Sequence, residues 1–299
     1  MTVRIEFVGE GRDQLGESPV WDPATSSLYW VDSVAPCIHR FDPTRGVFER
    51  RAMPDSVGSI GLWMPGRLIA ALRDGFYAVD FASGEVRPLH RPGVPDGQRM
   101  NDGKMDRQGR FLSGTMRLPW PATPAGKLFR LDAAGQCDEL ETGIGISNAL
   151  CFSPSGDTLY FADSPRGLLW SYPYDGATGA VGSRTVLADI AAMTKSGPDG
   201  ATVDAAGCLW VTLVRTGQLA RLRPDGALDY LVDLPVPHPT CPAFGGAGFD
   251  TLFVTSISDS GRVRSDHPDA GRMMALTGLG VQGLPEARFA GDWESLGAA

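Results

Sequence analysis

The sequence has no basic run, no long apolar segment and no cysteine pair, and each absence removes a class of function. Its 299 residues carry a net charge of -8, whereas nucleic acids and anionic membranes require a basic surface. No stretch approaches the roughly 18 apolar residues of a membrane span, and the N-terminal segment lacks the apolar centre of a signal peptide. We therefore expect a cytoplasmic protein, a monomer or weak homo-oligomer, whose partner is a small molecule rather than nucleic acid or a membrane.

Cysteine and histidine are too few and too scattered to predict a site. None of the five cysteines belongs to a C-x-x-C pair, and the four histidines lack H-E-x-x-H spacing. We predict reduced, mostly buried thiols and neither a disulfide framework nor a histidine-rich zinc site. No G-x-S-x-G segment occurs, so a serine nucleophile on a strand-to-helix turn is unsupported.

Turn residues and a repeated strand pattern are abundant instead. The chain contains 38 Gly and 23 Pro, which indicates many short elements separated by turns. The segment LYWVDS at 28–33 reappears as LYFADS at 159–164, and weaker copies occur at 209–212 and 252–256. These aromatic and β-branched cores are typical of strands, and the Asp, Ser, Pro and Gly clusters before them are typical of hairpin turns.

Six such units begin near residues 17, 59, 101, 148, 199 and 239, at intervals of about 40 to 51 residues. This is the length of one propeller blade, and no long helical period competes with it. We predict an all-β fold, a six-bladed β-propeller that forms one domain over residues 1–299. The alternative is a β-sandwich or a pair of barrels.

Four oxygen-bearing side chains hold the same position in different units, five residues before a turn. They are Glu17, Asn101, Asn148 and Asp199. The first strand of each blade lines the central channel, so these side chains should converge there. Two carboxylates without a compensating Lys or Arg at these positions predict a divalent cation, although each Asx residue alone is also typical of a strand-entry turn. All-oxygen ligands favour Ca²⁺, with Mg²⁺, Mn²⁺ and Zn²⁺ as alternatives.

At these positions the chain resembles the SMP-30/gluconolactonase/regucalcin family of six-bladed propellers. The resemblance spans nearly the whole chain, and it is specific because several motifs occur together in order. The matching segments are LGESPVW at 15–21, RMNDGK at 99–104, GTM at 114–116, ISNAL at 146–150, PDG at 198–200 and TGLGVQG at 277–283.

The resemblance implies roles for individual residues. It implies that Glu17, Asn148 and Asp199 hold the metal. It also implies that Arg99 and Asn101 contact substrate hydroxyls. One departure concerns the residues after GTM, where some members carry an acidic substrate-binding residue and this chain has Arg117. The sugar preference of any one member therefore does not transfer.

The function that follows is hydrolysis of a sugar lactone to the sugar acid by a metal-dependent lactonase. Asp199 is the candidate general base, and hydroxide generated at the metal is the alternative, because a carboxylate bound to a cation is a weak base. Trp120 is a candidate wall of the substrate site. Rival functions are organophosphate or aryl-ester hydrolysis on the same fold, and non-catalytic metal binding, since fold does not decide function.

Overall fold

The computed structural model describes residues 2–117 and 124–296, and this part of the chain forms six four-stranded antiparallel sheets. The innermost strand of each sheet contacts the innermost strands of its two neighbours, so the six sheets close into a ring. The prediction of an all-β six-bladed propeller is confirmed. No helix in the described ranges has the length and apolar character needed to cross a bilayer.

The strands follow one another from the channel outward in each blade. Blade 1 contains β2 Gly16–Asp22, β3 Ser27–Asp32, β4 Cys37–Asp42 and β5 Val47–Ala52. Blade 2 contains β6 Val57–Met64, β7 Arg67–Leu72, β8 Gly75–Asp80 and β9 Val86–His90. Blade 3 contains β10 Gln98–Met105, β11 Phe111–Arg117, β12 Gly126–Leu131 and β13 Cys137–Ile144.

Blade 4 contains β14 Ser147–Phe152, β15 Thr158–Asp163, β16 Leu168–Pro173 and β17 Thr185–Asp189, with a 3₁₀ turn at Ser164–Arg166 and the short helix α1 at Ile190–Thr194. Blade 5 contains β18 Pro198–Val203, β19 Leu209–Leu213, β20 Gln218–Leu222 and β21 Leu228–Asp233. Blade 6 contains β22 Pro239–Gly245, β23 Thr251–Ser256 and β24 Met273–Thr277, and takes its outermost strand, β1 Arg4–Val8, from the start of the chain.

Aromatic side chains fill the spaces between blades, as expected for the tryptophans in the strand cores. Trp21 of blade 1 stacks on Phe253 of blade 6, with ring centroids 6.1 Å apart. Trp210 of blade 5 meets Phe244 of blade 6 edge to face at 6.0 Å. The cysteine prediction also holds, because all five thiols in the described chain are free and only Cys137 is not fully buried. The aromatic side chains packed between blades fix the angle between neighbouring blades and thereby the diameter of the channel.

The segment after β24 crosses the end of the channel opposite the start of β2. Trp63 Nε1 donates a hydrogen bond to the carbonyl oxygen of Gly291 at 2.7 Å, and its ring packs edge to face on Phe289 and Trp293. Further toward the channel, Glu286 lies 3.4 Å from Lys104 Nζ. The C-terminal segment therefore ties blades 2 and 3 together and places an ion pair at this end of the channel.

Trp293→Ala is expected to lower the free energy of unfolding by about 3 kcal/mol, because it removes a large buried ring. The ring is 8% exposed and also lies under the Arg67 guanidinium, 4.5 Å from the ring centroid. Denaturant unfolding measures the change, with the exposed Leu231→Ala as the control, expected to change stability by less than about 0.5 kcal/mol. Equal effects of the two substitutions on the free energy of unfolding would show that the C-terminal segment does not stabilise the propeller.

Candidate functional site

Irregular pairing in the innermost strands aims the predicted side chains into the channel. In blades 1, 3, 4 and 5 the register between the first and second strands shifts once, starting at Glu17, Met100, Asn148 and Pro198. Ser18 and Ala149 accordingly have positive φ angles of 49° and 53°. A bulge bends its strand and redirects a side chain. The same local irregularity therefore brings residues from four blades to one level of the channel.

The amide and guanidinium groups form a connected row across blades 3 and 4. Arg99 Nη1 donates to Asn101 Oδ1 at 2.8 Å, and Asn101 Nδ2 donates to Asn148 Oδ1 at 3.1 Å. The Asn148 side chain lies near Asp199 and opposes the rise in that carboxyl's pKa. Three of the residues singled out in the sequence are thus hydrogen-bonded in one row, and Asp199 lies near its end.

Ser164 fixes the orientation of Asn148 and was missed in the sequence. Its Oγ accepts a hydrogen bond from Asn148 Nδ2 at 2.8 Å and donates to the carbonyl oxygen of Pro198 at 2.7 Å. The repeat carried a signal for it, because Ser33 ends the matching segment of blade 1 and donates to the carbonyl oxygen of Val57 in the next blade. Ser164 therefore links the strand of Asn148 to the strand of Asp199.

Glu17 and Asp199 place two carboxylates in a poorly hydrated channel. Burial, followed by repulsion from Asp199 and Asp102, raises the pKa of Glu17 well above its usual value. Asp199 keeps partial solvent contact, but burial and the charge of Asp102 raise its pKa to about 8, while Arg99 and Asn148 oppose the rise. In the described ranges, the one hydrogen bond to the Glu17 carboxylate comes from Ser18 N at 3.2 Å.

Asp102 is a third buried carboxyl, and its role is to hold neighbouring strands together. Its Oδ2 accepts from Leu150 N at 2.8 Å, and its Oδ1 accepts from Gly103 N at 2.9 Å. Burial raises the pKa of Asp102 to about 6, although both backbone hydrogen bonds and nearby Lys104 lower it. Asp102 thereby ties the bulge after Asn101 to the bulge after Asn148.

The donor set fits a hard cation. Within residues 2–117 and 124–296, no three His, Cys, Asp or Glu side chains form a metal-binding group, so a cation held by Glu17 and Asp199 would need a further oxygen. Asn148 carries an amide oxygen, which accepts from Asn101 Nδ2 at 3.1 Å, and its side chain lies near Asp199. A positive ion at the same point would remove the cost of keeping two carboxylates charged in this channel. Carboxylate and amide oxygens are ligands that Ca²⁺ prefers.

The remaining predicted residues have different outcomes. Trp120 lies outside the described residues. Arg117 ends β11 with an exposed side chain. Asp32 and Asp163 serve turns, as expected, because Asp32 accepts from the backbone amides of residues 14 and 15 and Asp163 from those of residues 145 and 146.

Comparison with known proteins gives consistent relatives. The family described as SMP-30/gluconolactonase/LRE-like region matches residues 15–258. A 6-deoxy-6-sulfogluconolactonase of Pseudomonas putida is 37% identical over 93% of this chain and 95% of its own length. A pentonolactonase of Haloferax volcanii is 33% identical over 92% and 94%. A structure of regucalcin from Agrobacterium tumefaciens, described as a calcium-binding protein, has a TM-score of 0.89 and 30% identity over 95% of this chain and 96% of that one.

Proposed function

Because the chain belongs to the SMP-30/gluconolactonase/LRE-like family, we propose that it hydrolyses a sugar lactone to the sugar acid with one divalent ion in the channel. The observation that carries this proposal is that Glu17 and Asp199 place two carboxylates near each other in the channel, with the Asn148 side chain near Asp199. Relatives named as lactonases support the reaction type. The relative described as a calcium-binding protein supports the cofactor class.

Glu17, Asn148 and Asp199 are the proposed ligands, and Ca²⁺ is the first candidate ion, with Zn²⁺, Mg²⁺ and Mn²⁺ as alternatives. When bound, the ion supplies a Lewis acid for the lactone carbonyl. Asp199 takes a proton from the attacking water, whose oxygen bonds to the carbonyl carbon. The ring ester C–O bond then breaks, and the proton passes from Asp199 to the departing ring oxygen, so the product is a hydroxy acid.

Arg99 and Asn101 are proposed to orient the sugar. Arg99 spends one nitrogen, Nη1, on Met100 O and Asn101 Oδ1 in the described structure, which leaves Nε and Nη2 for a ligand. Burial lowers the pKa of Arg99 to about 10, although Glu17 and Asp199 oppose this, so it stays a cation at neutral pH. A fixed donor of this kind raises the rate by holding the reacting carbonyl in one place.

The proposal is tested with a panel of lactones followed by proton release in a pH-stat, corrected for spontaneous hydrolysis. The panel contains hexonolactones and pentonolactones, because relatives are named for both kinds of sugar. A phosphotriester and an aryl ester are run beside them as rival substrates. We expect turnover of at least one lactone well above both rivals. Turnover of the phosphotriester or aryl ester alone, or of no substrate with metal bound, would contradict the proposal.

Arg99→Ala should lower kcat/KM by about 10- to 100-fold while the protein keeps its metal, because the lost hydrogen bonds come from a charged donor. Arg99→Lys is the matched control, which keeps the charge but loses the planar fork and should recover only part of the rate. Metal content is measured on the same samples by elemental analysis. If Arg99→Ala lost its metal, the division between ligand and substrate residues would be wrong.

A further inference from the structure

A groove of about 330 Å³ opens beside the channel, between blades 2 and 3. Arg99 belongs to both spaces, since it lines the groove and hydrogen-bonds Asn101 in the channel. A substrate held at Arg99 can therefore extend into the groove. Besides Arg99, the groove is lined by Asp55, Ser56, Arg73, Gln98 and Met116.

Positive charge in this groove exceeds negative charge. The Arg73 side chain is 50% exposed, and its nearest carboxylate oxygen, on Asp55, is 3.9 Å away. Arg117 stands at the edge, because a Cβ built on Gly97 would lie 3.8 Å from its Nε. Within the part of the chain that the structure describes, the Arg117 side chain has no hydrogen bond or ion pair. Two exposed guanidinium groups, those of Arg73 and Arg117, thus share one exposed carboxylate, that of Asp55, while the buried Arg99 lies near the Glu17 and Asp199 carboxylates.

This excess has the opposite sign to the net charge of the molecule. The net charge is -8, and some arginines elsewhere lie close to carboxylates, such as Arg110 at 2.8 Å from Asp106 and Arg221 at 2.7 Å from Asp204. Hydroxyl groups of a neutral sugar require no uncompensated charge. An anionic group is stabilised by uncompensated positive charge, and the planar guanidinium of arginine matches the oxygens of a carboxylate, sulfonate or phosphate.

We propose that the groove beside Arg99 is a subsite for an anionic substituent, carried on the carbon chain of the lactone outside its ring. The proposal rests on the proposed lactonase function and narrows its substrate class. Arg73 and Arg117 provide the charge. Gln98 forms a fixed wall, because its Oε1 accepts from Thr115 Oγ1 at 3.1 Å and its Nε2 reaches Ala125 O at 3.4 Å.

The test compares three lactones of one sugar on the metal-loaded protein: glucono-δ-lactone, its 6-phosphate and its 6-deoxy-6-sulfonate. We expect kcat/KM to be higher for at least one charged lactone than for the uncharged one, and this preference to shrink as salt is added. Arg73→Gln and Arg117→Gln should each lower the ratio of kcat/KM for the charged lactone to kcat/KM for the uncharged lactone by about three- to fivefold. The effect is modest because both arginines are exposed to solvent.

Arg223→Gln is the matched control, because this side chain is 52% exposed, has equally weak ion pairs at 3.8 and 3.9 Å and follows the end of β20 in blade 5. It removes the same charge and should leave the ratio unchanged. A second readout is independent of turnover: calorimetric binding of 6-phosphogluconate and 6-sulfogluconate compared with gluconate. The two acids with a second anionic group, 6-phosphogluconate and 6-sulfogluconate, should bind more tightly than gluconate. Arg73→Gln should remove most of this difference in affinity.

The outcomes separate the two proposals. Preference for both charged lactones, or for one of them, supports the subsite, and the preferred one identifies the anion. Turnover of lactones without any preference for charge, or an equal loss in Arg223→Gln, overturns the subsite and leaves the lactonase proposal intact. Tighter binding of 6-phosphogluconate or 6-sulfogluconate than of gluconate, without turnover of any lactone, supports the subsite and overturns the lactonase proposal.

Discussion

Asp199→Asn should lower kcat by about two to four powers of ten while the protein still binds its metal. The substitution keeps the size of the side chain and one oxygen for the ion, but an amide cannot take a proton from water. Asn148, whose side chain lies near Asp199, can hydrogen-bond either form. The measurement is kcat at saturating lactone, together with metal content and a metal titration of the same sample.

Asn148→Asp provides the matched comparison, because it also exchanges amide and carboxylate at a proposed ligand. It adds negative charge around the ion and so weakens its action as a Lewis acid, while an oxygen remains in place. Metal affinity should hold or rise, and activity should fall less than in Asp199→Asn. If saturating metal returned Asp199→Asn to near wild-type turnover, Asp199 would be a ligand only and the assignment of the base would fail.

The convergence of these residues could be read from the sequence because a propeller repeats its geometry. Glu17 and Asn148 occupy equivalent places in similar units, and closing the ring brings equivalent places to one axis. The structure adds the reason that they aim inward, since the register shifts beside both residues. Short-range pattern and ring symmetry together predict this part of the proposed site.

Contacts between distant segments could not be predicted in the same way. The first strand, Arg4–Val8, completes the last blade by pairing with Met273–Thr277, and no local signal distinguishes it from an ordinary edge strand. Glu286 reaches Lys104 from a segment that has no repeat at all. The groove at Arg73 arises where two blades meet, so it depends on blade packing rather than on any motif.

Asp102 illustrates a partial signal. It stands next to Asn101 in the RMNDGK segment, so its presence in the site was visible. Its function was not, because its partner Leu150 belongs to a neighbouring blade and contributes only a backbone amide. A side chain that binds backbone leaves no requirement on the partner's residue type, and sequence alone therefore cannot show the pair.

Removing the divalent ion should abolish lactone hydrolysis, with a fall in kcat of at least about three powers of ten. It should also make the metal-free protein less stable as pH rises. Without the ion, burial and the charge of Asp102 favour the protonated forms of Glu17 and Asp199, and the charge of Asp199 adds to this at Glu17, while Arg99 and Asn148 oppose it. The Asp199 pKa is raised from its ordinary value to about 8. The stability that the metal-free protein gains from protonated Asp199 is fully present below the pKa of Asp199 in the unfolded chain, near 4. It is lost as pH rises through the pKa of Asp199 in the folded protein, about 8.

The metal-loaded protein should show the opposite trend, because the ion binds the deprotonated carboxylates and its affinity rises with pH. The difference in Tm between metal-loaded and metal-free protein should therefore widen steadily from pH 5.5 to pH 8. Metal is removed beforehand by chelation and gel filtration and then restored at each pH, because chelators themselves titrate in this range. The Glu17→Gln, Asp199→Asn double variant is the control, in which the widening should disappear. An equal Tm difference at both ends of the range would show that these two carboxylates do not hold the ion.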